Sequence, residues 1–522
     1  MSSDAVTRVN RTFDWRIFLA LWLLPLTAYC WLIGRWSLSG DEFYTLIDSS
    51  KPVSELLSYE RKPLYYLLCH VLLKLNLGLP QEFIVRLPAA FAASLIPPSF
   101  YWLLRDKRYT NIGLLAGMLA LFSPWLFKMS QYARFYSLAF LFASIAVLAG
   151  YRCVHEQRKK PWLFLLAIAS FLAAISQLPA GIVLPAALIG FGFASFREDP
   201  VRASKAVKKY GPLLLIGLLV GGLAGVFVLK DLFYYWLTSD AGNFGSYSVR
   251  QLLMALAVAG GMAVWGLAFL PMLRAPTSWS TGDIYLATTT VLSSVPLMVF
   301  IPFGGGVSSN YLMFCLPSLF LLAATNWREI DERLPSRGYR LAIGMAILAF
   351  NIPLLASTLS SGDHHDYRQA AAKIETMQID NPVIVASGHC LLNWYLQDAH
   401  SDIDLLTFDN GVARHLIERG IEMATVEGRP LLLVSRESRG VLSAEDQKWL
   451  FDRFALVTTI ETSRFDFRRQ RVSIYEYRPS ERLKACEALQ STSVSEQDDS
   501  REERSPVDPT PQELLEPALA AP

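Results

Sequence analysis

The chain has 522 residues, enough for three or four ordinary domains, but its composition excludes a row of soluble domains. Hydrophobic residues make up 52% of it and charged residues only 18%, and the mean hydropathy is +0.30. The net charge of +2, from 48 basic and 46 acidic residues, argues against a nucleic-acid partner. Six cysteines without a CxxC pair or a Cys/His cluster indicate neither a disulfide framework nor a zinc site. This composition is typical of a polytopic membrane protein.

Apolar runs of spanning or near-spanning length recur over the first 360 residues. The first run begins near Arg16 and has no small-residue cleavage site, so we interpret it as a retained anchor and not as a signal peptide. The pattern predicts about eleven transmembrane helices. They lie near residues 16–36, 83–104, 110–127, 132–151, 161–177, 178–196, 211–230, 251–273, 283–302, 310–326 and 340–359.

The distribution of basic residues predicts the orientation of these helices. In this map the basic clusters all fall on one side, near residues 8–16, 105–108, 152–160, 205–209 and 328–340. Because loops rich in Lys and Arg stay in the cytoplasm, that side is predicted to be cytoplasmic. The N-terminus is then cytoplasmic, and the chain beyond residue 361 lies outside.

One segment, PLYYLLCHVLLKLNLG at 63–78, could be counted as a further span, which would invert every later loop. It is short, and Tyr66, His70 and Lys74 follow one helical face as a polar stripe. We therefore interpret it as an amphipathic helix that lies in the outer membrane interface. The first outer loop then extends over about 37–82 and is the longest loop of the membrane part.

Beyond residue 359 the composition changes. Short apolar runs beginning at 382, 402, 430, 454 and 471 alternate with helical stretches, which indicates a small α/β domain. The last residues are rich in Ser, Glu, Asp and Pro, as disordered tails are. The sequence thus predicts a transmembrane domain at 1–360, an extracytoplasmic α/β domain at 361–482 and a disordered acidic tail at 483–522.

The first outer loop opens with two adjacent carboxylates, Asp41 and Glu42, a few residues past the membrane exit. Neighbouring side chains on a helix or strand point to different sides, so the pair suits two separate roles. A carboxylate at the interface can take the proton from an attacking hydroxyl. The alternative is that Asp41 only caps a helix after a turn at Gly40.

Several basic side chains are predicted at the same membrane surface. Arg61 and Lys62 precede the interfacial helix, Arg86 opens the second span, and Arg134 stands at the start of an apolar helix. Arginine forks and lysine point charges are natural phosphate ligands. Anchoring to lipid headgroups, or snorkelling, is the alternative for each of them.

These segments, in this order, resemble the bacterial GT-C membrane glycosyltransferases of family 39, the group that includes RgtA/B/C/D-like enzymes. The features are Gly-Asp-Glu after the first span, a basic-Pro-Leu-Tyr-Tyr segment, Arg-Leu-Pro, Ser-Pro-Trp and then QYARFYSL. The chain is similar in this way to protein O-mannosyltransferases and lipid A aminoarabinose transferases. The resemblance extends over about 15–200 and, more loosely, to 330; DYRQAA at 366 is similar to the start of the periplasmic domain in such proteins.

The resemblance implies an all-α GT-C membrane domain followed by a small α/β domain, in the plasma (inner) membrane of a bacterium. It implies transfer of a hexose or pentose from a polyprenyl-phosphate donor to a hydroxyl of a glycan, lipid or protein at the outer face, with inversion. Membrane lipids are the surroundings, and nucleic acid is not a partner. No cofactor is indicated; a divalent metal ion is compatible with such chemistry, but no metal ligand is assigned.

The resemblance also implies roles for individual residues. Asp41 matches the family's acidic residue and is expected to be the base or to position the acceptor, while Glu42 orients the loop or the sugar. Lys62, with Arg61, matches the basic end of a His/Lys-Pro-Pro-Leu segment. The Arg-x-Tyr pattern matches Arg134 and Tyr136, and Arg86 is a further expected phosphate ligand.

The chain departs from the family pattern at three places. Lys62-Pro63 stands where Pro-Pro is frequent, and Tyr132 stands where an acidic residue often precedes Arg-x-Tyr. Asn310-Tyr311 stands where the family often has Arg-Tyr, which removes one expected phosphate ligand.

Two other functions share the predicted topology. A flippase or transporter for lipid-linked sugars has similar helices but needs no base in the first loop. A glycan polymerase or ligase also uses polyprenyl-linked substrates, but usually carries its large catalytic loop late in the chain, whereas the long loop comes first here.

Overall fold

The computed structural model of the chain describes residues 14–34, 36–59, 63–106, 108–156, 159–201, 203–205, 208, 253, 256–257, 261–269, 279–295, 309–331, 336–349, 352, 366–387, 391–396, 404–408, 414–437, 444–463 and 469–478. Two predicted site residues, Arg61 and Lys62, lie outside these described residues. The predicted helix at 211–230 and the predicted tail at 483–522 lie outside them as well.

Helices form the first part of the fold. In chain order they are α1 (Trp15–Leu32), α2 (Gly40–Ser50), α3 (Val53–Tyr59), α4 (Pro63–Lys74), α5 (Gln81–Leu103), α6 (Thr110–Leu121), α7 (Pro124–Ser130), α8 (Tyr136–His155), α9 (Lys159–Ser176), α10 (Val183–Glu198), α11 (Met262–Phe269), α12 (Thr281–Leu292), α13 (Ser309–Leu312), α14 (Leu316–Asp331) and α15 (Arg337–Ala349). Single turns of 3₁₀-helix at Leu178–Ile182 and Met313–Cys315 lead into α10 and α14.

Five stretches of the described chain are helical, long and apolar enough to cross a membrane: α1, α5, α8, α9 and Leu178–Glu198. Helices α6 and α7 pass the same test together but are bent by 65°. The bend occurs where Ser123 caps α7 and Pro124 takes its first position, a combination that starts a new helix. A helical membrane fold is confirmed, whereas the total of about eleven spans stays a prediction.

Helices α5 and α8 form the centre of the bundle: 78% and 83% of their apolar windows are buried, against 17% for α1. Helix α6 packs closely on α5 through glycine. A Cβ atom added to Gly117 would lie 2.6 Å from the Pro97 carbonyl oxygen, so only a residue without a side chain lets the two backbones approach this closely.

Helix α4 has 12 residues and is shorter than the helices that are long enough to cross a membrane; its place in the interface stays a prediction. Two of the three residues of the polar stripe face the protein, and the third, Lys74, is exposed. Tyr66 and His70 are buried, and His70 Nδ1 lies 2.8 Å from the Ser49 carbonyl oxygen of α2. The apolar side chains of Leu68 and Val71 are exposed, so α4 presents apolar as well as charged side chains outward.

A five-stranded sheet forms the second part of the fold. Its strands are β1 (Val383–Ser387), β2 (Asp404–Phe408), β3 (Leu431–Glu437), β4 (Phe454–Ser463) and β5 (Arg469–Tyr477), in the order β2-β1-β3-β5-β4. Strand β1 is parallel to β2 and β3, while β5 is antiparallel to β3 and β4. These strands coincide with the five apolar runs of the sequence. The accompanying helices are α16 (Tyr367–Thr376), α17 (Leu391–Leu396), α18 (Arg414–Glu427) and α19 (Ala444–Phe451).

The two faces of the sheet bury different sets of side chains, because successive residues of a strand point to opposite faces. In β1, Ile384 and Ala386 join the core that continues into α16, α17 and the helix bundle. Val383 and Val385 join a second core with Ile417 of α18 and with α19. Helices α16 and α17 therefore lie between the sheet and the bundle.

The two ends of the bundle carry different features. At one end Arg328 donates to the Arg108 carbonyl oxygen (3.4 Å), and Arg152 pairs with Asp106. Three of the five basic clusters that were predicted to be cytoplasmic, at 105–108, 152–160 and 328–340, thus meet. At the other end the Leu38 amide donates to the hydroxyl of Tyr395 on α17 (2.7 Å). The first loop and the α/β region accordingly share one side, as the predicted topology requires.

Candidate active site

Helix α2 begins at the Gly-Asp-Glu segment because Ser39 and Glu42 form a capping box. The Ser39 hydroxyl accepts from the Glu42 amide (3.3 Å), and the Ser39 amide donates to Glu42 Oε2 (2.9 Å). The residue that caps the helix is Ser39, so the alternative that Asp41 is the cap is wrong. Asp41 instead lies in the first turn with its side chain available for other contacts.

Glu42 is completely buried and pairs with Arg86 of α5 through two parallel bonds. Arg86 Nε donates to Glu42 Oε1 (2.7 Å) and Nη2 donates to Oε2 (2.9 Å). The amide of Ala133, in the turn between α7 and α8, also donates to Oε1 (2.7 Å). One carboxylate therefore ties α2, α5 and the α7–α8 turn together.

Every N–H of Arg86 has an acceptor. Besides Glu42, the guanidinium donates to the carbonyl oxygens of Ile33 (3.0 Å), Trp36 (2.8 Å) and Ser37 (2.9 Å). An arginine side chain has five N–H donors, and the five bonds to these four residues use all of them. This geometry does not support the expected phosphate contact of Arg86 and favours a structural role, as it does for Glu42.

Asp41 differs from its neighbour in exposure and in partners. Its side chain is 56% exposed, whereas that of Glu42 is 0% exposed. Asp41 Oδ2 accepts from the Tyr132 hydroxyl (2.9 Å), and Oδ1 lies 4.0 Å from Arg134 Nη2. The two adjacent carboxylates diverge, one into the core and one toward an open surface, as adjacent positions on a helix require.

Arg134 lies in the turn before α8, and its side chain is only 15% exposed. Its Nη1 donates to the Asp41 carbonyl oxygen (3.2 Å), to Thr45 Oγ1 (3.4 Å) and to the Tyr66 hydroxyl (3.2 Å). The guanidinium also lies over the ring of Phe135, 5.0 Å from its centroid. Its Nε is buried and has no hydrogen-bond partner among the described residues.

Burial and the charge of Asp41 determine the protonation states of Arg134 and Tyr132. Burial lowers the pKa of Arg134, but the negative charge of Asp41 raises it, and the net shift is upward, so the guanidinium stays a cation. Burial, and then the charge of Asp41, raise the pKa of Tyr132 well above its usual value. Tyr132 therefore stays a neutral phenol that can donate to the Asp41 carboxylate.

Tyrosines line one side of the cluster. The rings of Tyr132 and Tyr136 are stacked, with centroids 6.2 Å apart and an interplanar angle of 6°. Tyr136 also hydrogen-bonds to the side chain of Asn310, whose Oδ1 accepts from the indole of Trp125 (3.2 Å). Tyr311 lies close enough to Arg134 and Asp41 to interact electrostatically with both.

The fold therefore brings together residues that are far apart in the sequence. Of the expected site residues, Asp41, Arg134 and Tyr136 form one cluster, in which Asp41 is exposed and Tyr136 is buried. Glu42 and Arg86 meet in the core beside it. Arg61 and Lys62 lie outside the described residues, just before α4, the helix whose Tyr66 reaches Arg134.

Three tyrosines contribute to the site without having been assigned to it from the sequence: Tyr66, Tyr132 and Tyr311. Tyr132 and Tyr311 had a signal, because each belongs to a segment where the chain departs from the family pattern. No group of three or more His, Cys, Asp or Glu side chains that could hold a metal ion occurs within the described residues.

Residues 61–222 match the family model of dolichyl-phosphate-mannose-protein mannosyltransferases. This match confirms the resemblance to GT-C glycosyltransferases that the sequence motifs indicated, and the chain is similar to membrane enzymes that transfer sugars. No curated protein is significantly similar to it in sequence.

Two solved proteins are similar in structure at low sequence identity. One is ArnT from Cupriavidus metallidurans bound to undecaprenyl phosphate, with 15% identity and a TM-score of 0.46 over 88% of this chain and 97% of that chain. The other is the Archaeoglobus fulgidus oligosaccharyltransferase in complex with Zn and sulfate, with 10% identity and a TM-score of 0.42 over 80% of this chain and 67% of that chain. Similarity at this level assigns no chemistry to individual residues here.

Proposed function

We propose that this protein moves a sugar from a polyprenyl-phosphate donor to an acceptor hydroxyl at the outer face of a bacterial plasma membrane. The observation that carries this proposal is the pair formed by Asp41 and Arg134. An exposed carboxylate lies beside a guanidinium that is mostly buried and whose Nε has no partner among the described residues. A base and a phosphate ligand are the two groups that such a transfer requires.

In the proposed reaction the Asp41 carboxylate takes the proton of the acceptor hydroxyl while its oxygen attacks the anomeric carbon. The bond between that carbon and the phosphate oxygen breaks, the configuration inverts, and the lipid phosphate leaves with one more negative charge than before. Arg134 offsets that charge, and a cation at this place can substitute for a general acid because the charge develops in the transition state. Tyr132 holds the carboxylate through Oδ2.

Arg61 and Lys62 are proposed as further phosphate ligands, because they precede the helix whose Tyr66 already contacts Arg134. Tyr136 is proposed as a substrate contact: its side chain is 6% exposed, and its ring stacks on Tyr132, whose hydroxyl binds the exposed Asp41. Aromatic rings in such positions pack against the apolar faces of ligands while their hydroxyls make hydrogen bonds.

The outer location is part of the proposal. The site and the α/β region share the end of the bundle opposite to the basic loops, and the positive-inside rule assigns those loops to the cytoplasm. A periplasm-dependent reporter fused at Asp106 should be silent, and the same reporter fused at Gly362 should be active. The reverse pattern would place Asp41 on the cytoplasmic side and contradict the proposal.

The reaction itself is tested with the purified protein in detergent, without a sealed membrane. A strain that lacks the protein first shows which envelope glycan is lost, and lipids extracted from that strain then serve as the acceptor. Labelled polyprenyl-phosphate sugars are offered as donors. Transfer with release of the lipid phosphate, and a product of inverted anomeric configuration, is the expected result. Movement of the same lipids across vesicles without transfer in detergent would instead identify a flippase.

A further inference from the structure

The described residues between α1 and α2, 33–34 and 36–38, are held from two sides. From the membrane side, Arg86 binds three of their carbonyl groups, as described above. From the α/β side, Arg368 donates to the Gly34 carbonyl oxygen (2.9 Å), and the Tyr395 hydroxyl accepts from the Leu38 amide (2.7 Å). Leu38 directly precedes Ser39, the cap of the helix that carries Asp41.

Glu82 connects these contacts to α5. Its two carboxylate oxygens accept from the Tyr395 hydroxyl and from Arg368, and the Arg368 guanidinium also lies over the Tyr395 ring at 5.6 Å. Glu82 and Arg86 are four residues apart and therefore lie on one face of α5. Glu82, in the first turn of α5, contacts the α/β region, and Arg86, one turn later on the same face, contacts Glu42 of α2.

Two further observations support a fixed geometry. The ring of Trp394 contacts that of Phe43 edge-on, with centroids 5.9 Å apart, so α17 also packs directly on α2. Burial raises the pKa of the Tyr395 hydroxyl, so this group stays protonated and can donate to Glu82 while it accepts from Leu38.

We propose that Tyr395, supported by Arg368, is a positioning residue through which the α/β region holds the start of α2 and thereby the Asp41 carboxylate. The inference rests on the proposed function for its catalytic consequence only. A shift of about 1 Å in a reacting group can lower a rate by a large factor, so a contact that reaches the site through three residues of backbone can influence turnover.

The test compares Tyr395→Phe with Tyr367→Phe in the full-length protein. Both substitutions remove one hydroxyl from a buried or half-buried tyrosine of the α/β region. The Tyr367 hydroxyl donates to the Ser387 carbonyl oxygen (2.6 Å) within the α/β region, so this variant controls for a general loss of stability. Arg368→Gln is a second variant that removes the contacts with Glu82 and Gly34 and keeps the tyrosine.

Two quantities are measured. Hydrogen exchange at the Leu38 amide, resolved by fragmentation of a peptide spanning 36–46, should be about threefold to tenfold faster in Tyr395→Phe, as expected for one lost hydrogen bond, and unchanged in Tyr367→Phe. Arg368→Gln should also increase exchange in this peptide. In the transfer assay, kcat of Tyr395→Phe should fall by about threefold to tenfold while KM for the lipid donor stays at the parental value.

The outcomes separate this inference from the proposed function. Parental exchange at Leu38 in Tyr395→Phe, or equal effects of Tyr395→Phe and Tyr367→Phe, would overturn the role of Tyr395. Faster exchange with a parental kcat would overturn its link to turnover. Faster exchange in a protein whose parent transfers no sugar would support the contact between Tyr395 and the start of α2 and contradict the transfer reaction alone.

Discussion

Helix α2 carries two adjacent carboxylates, and each of them pairs with an arginine from another part of the chain. The two pairs look alike in the sequence and differ in the structure. The inner pair, Glu42 with Arg86, is 0% and 1% exposed, has two parallel bonds, and leaves no arginine donor unused. The outer pair, Asp41 with Arg134, is 56% and 15% exposed, and Asp41 Oδ1 lies 4.0 Å from Arg134 Nη2.

The difference separates a structural pair from a candidate catalytic pair. A saturated, buried pair has no capacity for a ligand, and breaking it leaves an uncompensated charge in the core. The outer pair stabilises the fold less, because Asp41 is 56% exposed and its charge, 4.0 Å from the guanidinium, is partly screened by water. Its groups can instead exchange contacts with a substrate. Loss of the inner pair should therefore affect folding, and loss of the outer pair should affect binding and turnover.

The largest expected effect follows from Glu42→Gln, which keeps the size of the side chain but leaves the buried charge of Arg86 without a counter-charge. The free energy of unfolding should fall by about 3–5 kcal/mol, measured by thermal unfolding in detergent. Glu55→Gln is the control, because Glu55 is 53% exposed and pairs with Lys51 at the surface. A parental melting temperature for Glu42→Gln would remove the distinction between the two pairs.

The next effect concerns donor binding by Arg134. Arg134→Ala should weaken binding of a polyprenyl-phosphate sugar by about tenfold to a hundredfold, the equivalent of one charge-assisted contact. Arg134→Lys should recover part of the affinity, because an ammonium lacks the planar fork of the guanidinium. Arg414→Ala, at an exposed pair in α18, is the control. If Arg134→Ala binds the lipid as tightly as the parent, Arg134 only anchors the protein.

A smaller effect is expected for Tyr132→Phe, which removes the hydroxyl that donates to Asp41 Oδ2 and keeps the ring stacked on Tyr136. One lost hydrogen bond corresponds to about 1 kcal/mol, so turnover should fall about fivefold. Tyr101→Phe removes a hydroxyl that accepts from the Asp14 amide at the opposite end of the bundle and should leave turnover unchanged. Equal rates for the two variants would mean that Tyr132 does not hold the base.

The sequence predicts those elements of the fold that depend on neighbouring residues, such as apolar helices, strands and helix caps. Hydropathy predicted α5, α8 and α9 within a few residues, and the apolar runs beyond 380 coincide with the five strands. The start of α2 also had a local signature, because Ser39 and Glu42 have the spacing of a capping box. That spacing indicates that Glu42 has a structural role at the helix start, so Asp41 is the carboxylate that is available for another role.

The partners within the site could not be read in this way, because they depend on how the helices pack. The bonds from Arg86 to Glu42 join residues 44 positions apart, and the bond from Trp125 to Asn310 joins residues 185 positions apart. The contact of Leu38 with Tyr395 bridges 357 positions. No periodicity of the sequence encodes such pairs, so Arg86 had the same basic character as Arg134 until the fold gave each of them its partners.

The most direct test of the central claim measures donor binding and transfer on one preparation of Asp41→Asn. An amide keeps the shape of the side chain but cannot take a proton, so the variant should bind the lipid donor as the parent does and transfer sugar about a hundredfold or more slowly. Asp48→Asn, on the same helix but paired with Lys51 at 2.8 Å, should transfer at the parental rate. Transfer by Asp41→Asn at the parental rate would contradict the account, because the base would then be another residue.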